Sequence, residues 1–293
     1  MADIEPAEHR IWKRPTQPAS NDKGGGARIL VRLPDCGDIP RNRLRHGLPW
    51  AHQIAVSSMK GGVGRTTVCA ALGLTLAECR GDRIVAVDTN RDAGTLADRL
   101  TGQTGRTARE LLEDFAEVDS LTAVSRYMSM AGRLHVLASE QDQVTSRDLT
   151  KMDYRRLHST LAQFYNITIT DVGTDLAHSA NEGTLALADS LVLVAPPTAD
   201  RAARASATLD WLSEHGYSEI VSDAVVVLCQ GPSPRADRGQ IRAQFQGRTR
   251  AVVEIPYDPH LAAGKRVELD ALRDNTRRTF LELAALIAED FSL

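Results

Sequence analysis

The segment Lys60-Gly61-Gly62-Val63-Gly64-Arg65-Thr66-Thr67 constrains this chain more than any other. It follows a short apolar run, Gln53–Ser58, built around Ile54 and Val56. It precedes Thr66–Cys79, where Ala71, Leu72, Thr75, Leu76 and Cys79 recur at helical spacing. A glycine-rich loop between a strand and a helix lets backbone N–H groups turn inward around phosphate oxygens, and the helix N-terminus adds a favourable dipole. Thr66, in the first helical turn, stands where a Mg²⁺ ligand is needed, and Thr67 is placed to hydrogen-bond an α-phosphate. The competing reading is a glycine turn that merely lets strand meet helix.

Downstream, strand-like runs alternate with helical ones. Arg83–Val87, Leu134–Leu137, Ile167–Thr170, Leu191–Val194, Ala224–Leu228 and Val252–Ile255 read as strands; Arg201–Glu214 and about 275–290 read as helices. The last of these puts Thr276, Phe280, Leu283 and Ile287 on one face, and residues of about 107–130 read as short helices. Alternation of this kind predicts an α/β fold: a doubly wound, mostly parallel sheet with helices on both faces and ligands at the carboxyl ends of the strands. The composition agrees, since 42% of residues are hydrophobic but only 4% aromatic, which suits close packing of aliphatic helices on a sheet.

Residues 1–50 read as a flexible or partly ordered extension, and 51–293 as the nucleotide-binding domain. The extension holds Gly24-Gly25-Gly26, then Ile29, Leu30, Val31 and Leu33, then Arg41, Arg43 and Arg45. Those apolar residues fit an edge strand, a docking arm or no ordered element.

Two acidic strand ends fall near the loop. Ile167–Asp171 delivers Asp171 toward a magnesium ion beside the phosphates, and Val87-Asp88 ends the second strand. Asp88 also has a plainer reading, as a cap on the following helix.

The loop departs from the usual phosphate-binding pattern GxxxxGK[ST] at Met59 and Arg65, where glycine and lysine would stand. It resembles instead the deviant Walker A sequence KGGxGK[ST] of the ParA/MinD family of P-loop ATPases. The resemblance covers roughly residues 52–291. It implies ATP or ADP with Mg²⁺ as cofactors, bound by Lys60 through Thr67, with Lys60 reaching across a homodimer interface to the other subunit's nucleotide. It makes Thr66, Asp88 and Asp171 the residues that serve the metal, and Gly173, in Val172-Gly173-Thr174, an N–H donor to a γ-phosphate. Gln230 and Pro256-Tyr257-Asp258 fall where the family holds the adenine base, although a solvated turn accounts for each equally well.

Two positions depart from the family. Arg65 keeps the positive charge of the usual lysine but is planar, longer and a five-donor fork. Asn90 stands where the family places a second aspartate that orients the attacking water; an amide can position water but cannot act as a base. Asp92 lies two residues further on.

Several other stretches resemble the MinD-like, EspI-type proteins of actinobacterial type VII (ESX) secretion loci: Arg80-Gly81-Asp82-Arg83-Ile84, Ala205–Leu212, Tyr257–Leu261 and Glu282–Leu286. The implied role is an accessory ATPase of secretion, associating with a secretion-system protein. With Arg65 and Asn90 in place, an ATP-gated adaptor that hydrolyses little or nothing is the alternative.

A ParA-type role in DNA partition is disfavoured without being excluded. Net charge is −3, and residues 51–293 carry 26 Lys/Arg against 32 Asp/Glu. Stable membrane insertion is not expected, since no apolar run reaches about 18 residues. The four scattered cysteines, Cys36, Cys69, Cys79 and Cys229, contain no CxxC pair and suit reduced thiols in a cytoplasmic protein.

Overall fold

The computed structural model describes Leu44 and residues 47–58, 60–89, 95–102, 106–139, 149–174, 179–195, 199–232 and 238–292. At its centre is strand β1 (His52–Ser57), every residue of which is buried. It pairs in parallel with β5 (Ile167–Asp171) on one side and β6 (Ser190–Ala195) on the other. Beyond β5 lie β2 (Ile84–Asp88), β4 (Leu134–Leu137) and β3 (Ser129–Ala131); beyond β6 lie β7 (Val225–Cys229) and β8 (Ala251–Ile255). The eight-stranded order is β3-β4-β2-β5-β1-β6-β7-β8, and only the β3–β4 pair is antiparallel.

Because strand side chains alternate between faces, these apolar runs feed two layers. Ile54, Val56, Ile84, Ala86, Ile167 and Ile169 point to one layer, where they meet α1 (Arg65–Cys79), α2 (Leu96–Leu100) and α11 (Asp274–Ala288). On the opposite face, Ala55, Leu191, Leu193 and Val226 pack under α7 (Ala199–Glu214), α8 (Ser218–Ser222) and α9 (Arg238–Phe245). Toward the β4 edge, Val85, Val87 and Leu137 lie under α3 (Ala108–Glu113), α4 (Leu121–Ser125) and α5 (Lys151–Leu161). Helix α6 (Ser179–Leu187) packs beside α5, and α10 (Pro259–Ala262) follows β8. The sheet is therefore doubly wound, as the sequence pattern predicts.

Helix α1 approaches the sheet closely at Gly73. A Cβ on Gly73 would lie 3.0 Å from a Leu134 methyl and 3.5 Å from one of Ile169, so glycine is what lets this helix approach.

One expectation needs correction. Residues of about 107–130 are not all helical: after α3 and α4 the chain turns into β3, an edge strand of three residues. Two residues of the N-terminal stretch also reach the core. Leu44 is buried against it, its carbonyl accepting from Arg80, and Leu48 packs alongside. The guanidinium of Arg80 lies 4.7 Å from the centre of the Phe291 ring. The apolar run from Ile29 to Leu33 lies outside the described residues. Among those described, no helix is long and apolar enough to cross a membrane.

Candidate functional site

The carboxyl ends of β1, β2 and β5 converge where the sheet reverses its winding, the place at which open α/β sheets leave a crevice. In register, Asp171 stands beside both Val56 and Asp88. The glycine loop fills the gap between β1 and α1. Its backbone enters the left-handed region at Gly62 (φ 76°) and Gly64 (φ 95°), the second serving as N-cap of α1. Lys60, Gly61 and Gly62 are exposed, Val63 and Gly64 half-buried. Met59 lies outside the described residues.

The Arg65 guanidinium lies at the base of the loop, its Nη1 3.5 Å from Ser58 Oγ, where β1 gives way to the glycines. The side chain turns toward β5, and Nε donates to Asp171 Oδ1 at 2.6 Å, with 7% of Arg65 and none of Asp171 exposed. The length of the arginine stem, and the Nε donor that lysine lacks, make this lateral bond possible. Thr66 Oγ1 donates to the other oxygen, Asp171 Oδ2, at 2.6 Å. Burial pushes the Asp171 carboxyl above the usual range, opposed by the charge of Arg65 and the hydrogen bonds from Thr66 and Arg65. Thr89, the residue after β2, adds a bond to the backbone, its hydroxyl donating to the Asp171 carbonyl at 3.0 Å.

Asp88 is buried, and its Oδ2 accepts from the backbone N–H of Leu96, the first residue of α2, at 3.1 Å. The capping reading thus has a hydrogen bond behind it. Asn90 and Asp92 lie outside the described residues. Gly173 is buried, and its N–H donates to Asn181 Oδ1 at 3.2 Å rather than standing open for a phosphate oxygen.

Alongside the loop lies a cavity of ≈ 350 Å³. Gly62, Gly64 and Thr67 form one wall; Gln230, Pro256 and Tyr257, at the ends of β7 and β8, form another. The two segments expected to hold a base are therefore brought together on one cavity, next to the phosphate loop. Gln230 Nε2 donates to Glu254 Oε2 at 2.9 Å, and Arg242 also pairs with Glu254, so the amide is oriented from behind. Asp258 is buried and engaged in the backbone, accepting from His260 N and Arg273 N at 2.9 Å each.

Sequence reasoning missed Arg99. On α2, 32 residues from the loop, its Nη2 donates to Thr67 Oγ1 at 2.7 Å. The same guanidinium donates to the carbonyls of Lys265 (2.7 Å) and Leu261 (3.2 Å), in the segment that walls the cavity. Its 8% exposure, against a side chain that is ordinarily solvated, lowers its pKa by desolvation. Nothing in the local sequence distinguishes it from a helix-face arginine.

A phosphate-type glycine loop, a half-buried hydroxyl on a buried carboxylate, and an adjoining cavity at the switch point define a nucleotide-binding class of protein. A family model described as the CobQ/CobB/MinD/ParA nucleotide binding domain matches residues 54–266, and the chain belongs to that family. More particularly, it is 36% identical over 254 residues to the ESX-1 secretion-associated protein EspI of Mycobacterium tuberculosis, in each of two strains. That match takes in 85% of this chain but 38% of the relative, so the chain spans well under half of that protein. Among solved structures, a ParA family ATPase from Chlorobium tepidum superposes with a TM-score of 0.68 at 21% identity, over 80% of this chain and 98% of that one. The cell division ATPase MinD of Pyrococcus furiosus gives 0.63 at 20% identity, over 82% and 99%. MinD of Pyrococcus horikoshii, solved with Mg-ADP, gives 0.62 at 18% identity, over 80% and 94%. These three likenesses are likenesses of fold.

Proposed function

We propose that this chain binds ATP or ADP with Mg²⁺ and acts in the cytoplasm as a nucleotide-dependent ATPase that dimerises around its nucleotides. In this reading residues 51–293 are the nucleotide-binding unit and residues 1–50 an extension of it. The observation that carries the reading is the 2.6 Å bond from Thr66 to Asp171, next in the chain to the glycine loop that walls the cavity. By giving its proton to the carboxylate, the Thr66 hydroxyl keeps its lone pairs for a hard cation, which suits Mg²⁺. Thr66 would then hold the metal, with Asp171 behind it and Asp88 in support. Magnesium, when bound, supplies charge neutralisation on the β- and γ-phosphates.

The rest of the assignment follows from position. Gly61 through Thr67 would surround the phosphates, and Gln230 and Pro256 would contact the base. Lys60, exposed at the loop, would reach the partner's nucleotide, and Asn90 would orient water. The Gly173 N–H would have to leave Asn181 to meet a γ-phosphate, which makes that bond part of a nucleotide-sensitive switch. The client would be a secretion-system protein of type VII, a reading supported by the likeness to EspI over 85% of this chain.

A second reading has a specific observation in its favour. With Arg65 held on Asp171, the loop lacks the point charge that lysine gives the β- and γ-phosphates. A protein so built binds nucleotide and hydrolyses it slowly, working as an ATP-gated adaptor. Light scattering with ATP, with ADP and without nucleotide tests the common core. Dimers should form with ATP and be lost in Lys60→Ala; equal dimerisation under all conditions would remove the gating mechanism. Single-turnover hydrolysis, run beside Asn90→Asp, separates ATPase from adaptor, and brisk wild-type turnover eliminates the second reading.

A further inference from the structure

The positive charge expected at the loop is spent on Asp171, yet a second buried cation stands close by. Arg99 has three hydrogen bonds, to one hydroxyl and two carbonyls, and among the described residues no carboxylate pairs with it. Neutral oxygens satisfy its donors without cancelling its charge, so a burial of this kind favours an anion nearby. The cavity adjoins it, since Thr67 and Leu261, two of its partners, both line that space.

The bond to Thr67 also settles the direction of a proton. A hydroxyl has one hydrogen to give. Since Thr67 Oγ1 accepts from Arg99, its own hydrogen points elsewhere, and among the described residues no acceptor takes it. The open direction for that hydrogen is the cavity.

We propose that Arg99 is a positioning residue for the α-phosphate: it sets the Thr67 hydroxyl as a donor into the cavity and places behind it a positive charge that no carboxylate among the described residues pairs. This inference rests on reading the cavity as a nucleotide site. The ligand favoured at that wall is a phosphorylated nucleoside, and the first phosphate carries the preference. Arg99 also ties α2, whose first N–H is held by Asp88, to the 261–265 segment. One side chain thereby links the segment after β2 to the wall of the base cavity.

The test is calorimetric binding of adenosine, AMP and Mg-ADP to wild type, Arg99→Gln, Thr67→Val and the double variant, each checked for folding by its melting curve. Arg99→Gln should weaken AMP and ADP alike by about tenfold, leave adenosine unchanged, and have little further effect in the Thr67→Val background. Equal weakening of adenosine means that Arg99 only props the wall and overturns the proposal, as does unchanged AMP affinity. If wild type binds adenosine but gains nothing from the phosphate, this inference fails alone; if it binds none of the three, the nucleotide reading fails with it. Should Arg99→Gln not fold, Arg99→Lys, which keeps the charge without the fork, replaces it: AMP weakened with adenosine unchanged is again the expected result, and equal loss of both overturns the proposal.

Discussion

Replacing Arg65 with methionine probes the buried pair on which the geometry of the loop depends. Arg65 Nε and Asp171 Oδ1 are 2.6 Å apart, at 7% and 0% exposure, so solvent screens neither. Removing the cation leaves a carboxylate with only the Thr66 hydroxyl and no countercharge, a situation that costs about 3–5 kcal/mol in proteins. For a domain of this size, with roughly 2–4 °C per kcal/mol, the melting temperature should fall by about 6–20 °C. Urea unfolding without added nucleotide measures the loss directly, provided the m-value is unchanged. Arg65→Met/Asp171→Asn should be more stable than the two single losses added together, by ~2 kcal/mol, because no unpaired charge is left buried. A loss below about 1 kcal/mol, with an additive double variant, would put the pair among ordinary surface bridges and refute the argument.

Other positions test the rest of the account. Gly64→Ala forces a Cβ into a backbone at φ 95° and within 3.2 Å of the Cys229 sulfur, so it should lose at least about 1–2 kcal/mol in urea titration and weaken nucleotide binding. Asp258→Asn, which keeps the cap but makes its hydrogen bonds neutral, should destabilise the protein by about 1 kcal/mol at neutral pH. Burial opposes ionisation of Asp258, but the hydrogen bonds from the backbone N–H groups of Arg273 and His260 help to outweigh it, and the carboxyl is held below its usual value. Its contribution is therefore in place above about pH 4 and shrinks as pH falls through the lowered folded value, so wild type and variant should converge in acid. Burial lowers the pKa of His158, only partly opposed by Asp189. The unfolded chain takes up that proton first, near pH ~6.5, so stability should decline on acidification from about pH 7.5 to 5.5, less steeply in His158→Gln.

The elements that carry a strong local pattern were legible in the sequence. The run around Ile54 and Val56, the glycines after it and the apolar strand ending at Asp171 announce themselves through period and turn chemistry, and they position the core of the site. Strand β3 did not, because three residues, one of them an exposed methionine, are too few to show an alternation. Gln230 and Pro256 could be placed only through resemblance, and their meeting on one cavity depends on β7 and β8 being neighbours. Contacts that join distant segments were invisible: Arg65 to Asp171 spans 106 residues and Arg99 to Lys265 spans 166. The consequence for Arg65 was the larger one. The sequence reads it as a cation for the phosphates, whereas its hydrogen-bonding geometry makes it the partner of the strand-end carboxylate.

The central claim is that the loop, the Thr66–Asp171 pair and the adjoining cavity together grip a nucleoside polyphosphate. Isothermal titration of the full chain with Mg-ATP and Mg-ADP tests it most directly. The account expects saturable binding at one nucleotide per chain, weakened when EDTA removes the magnesium. A flat titration for both nucleotides, from protein with an intact melting transition, would contradict it.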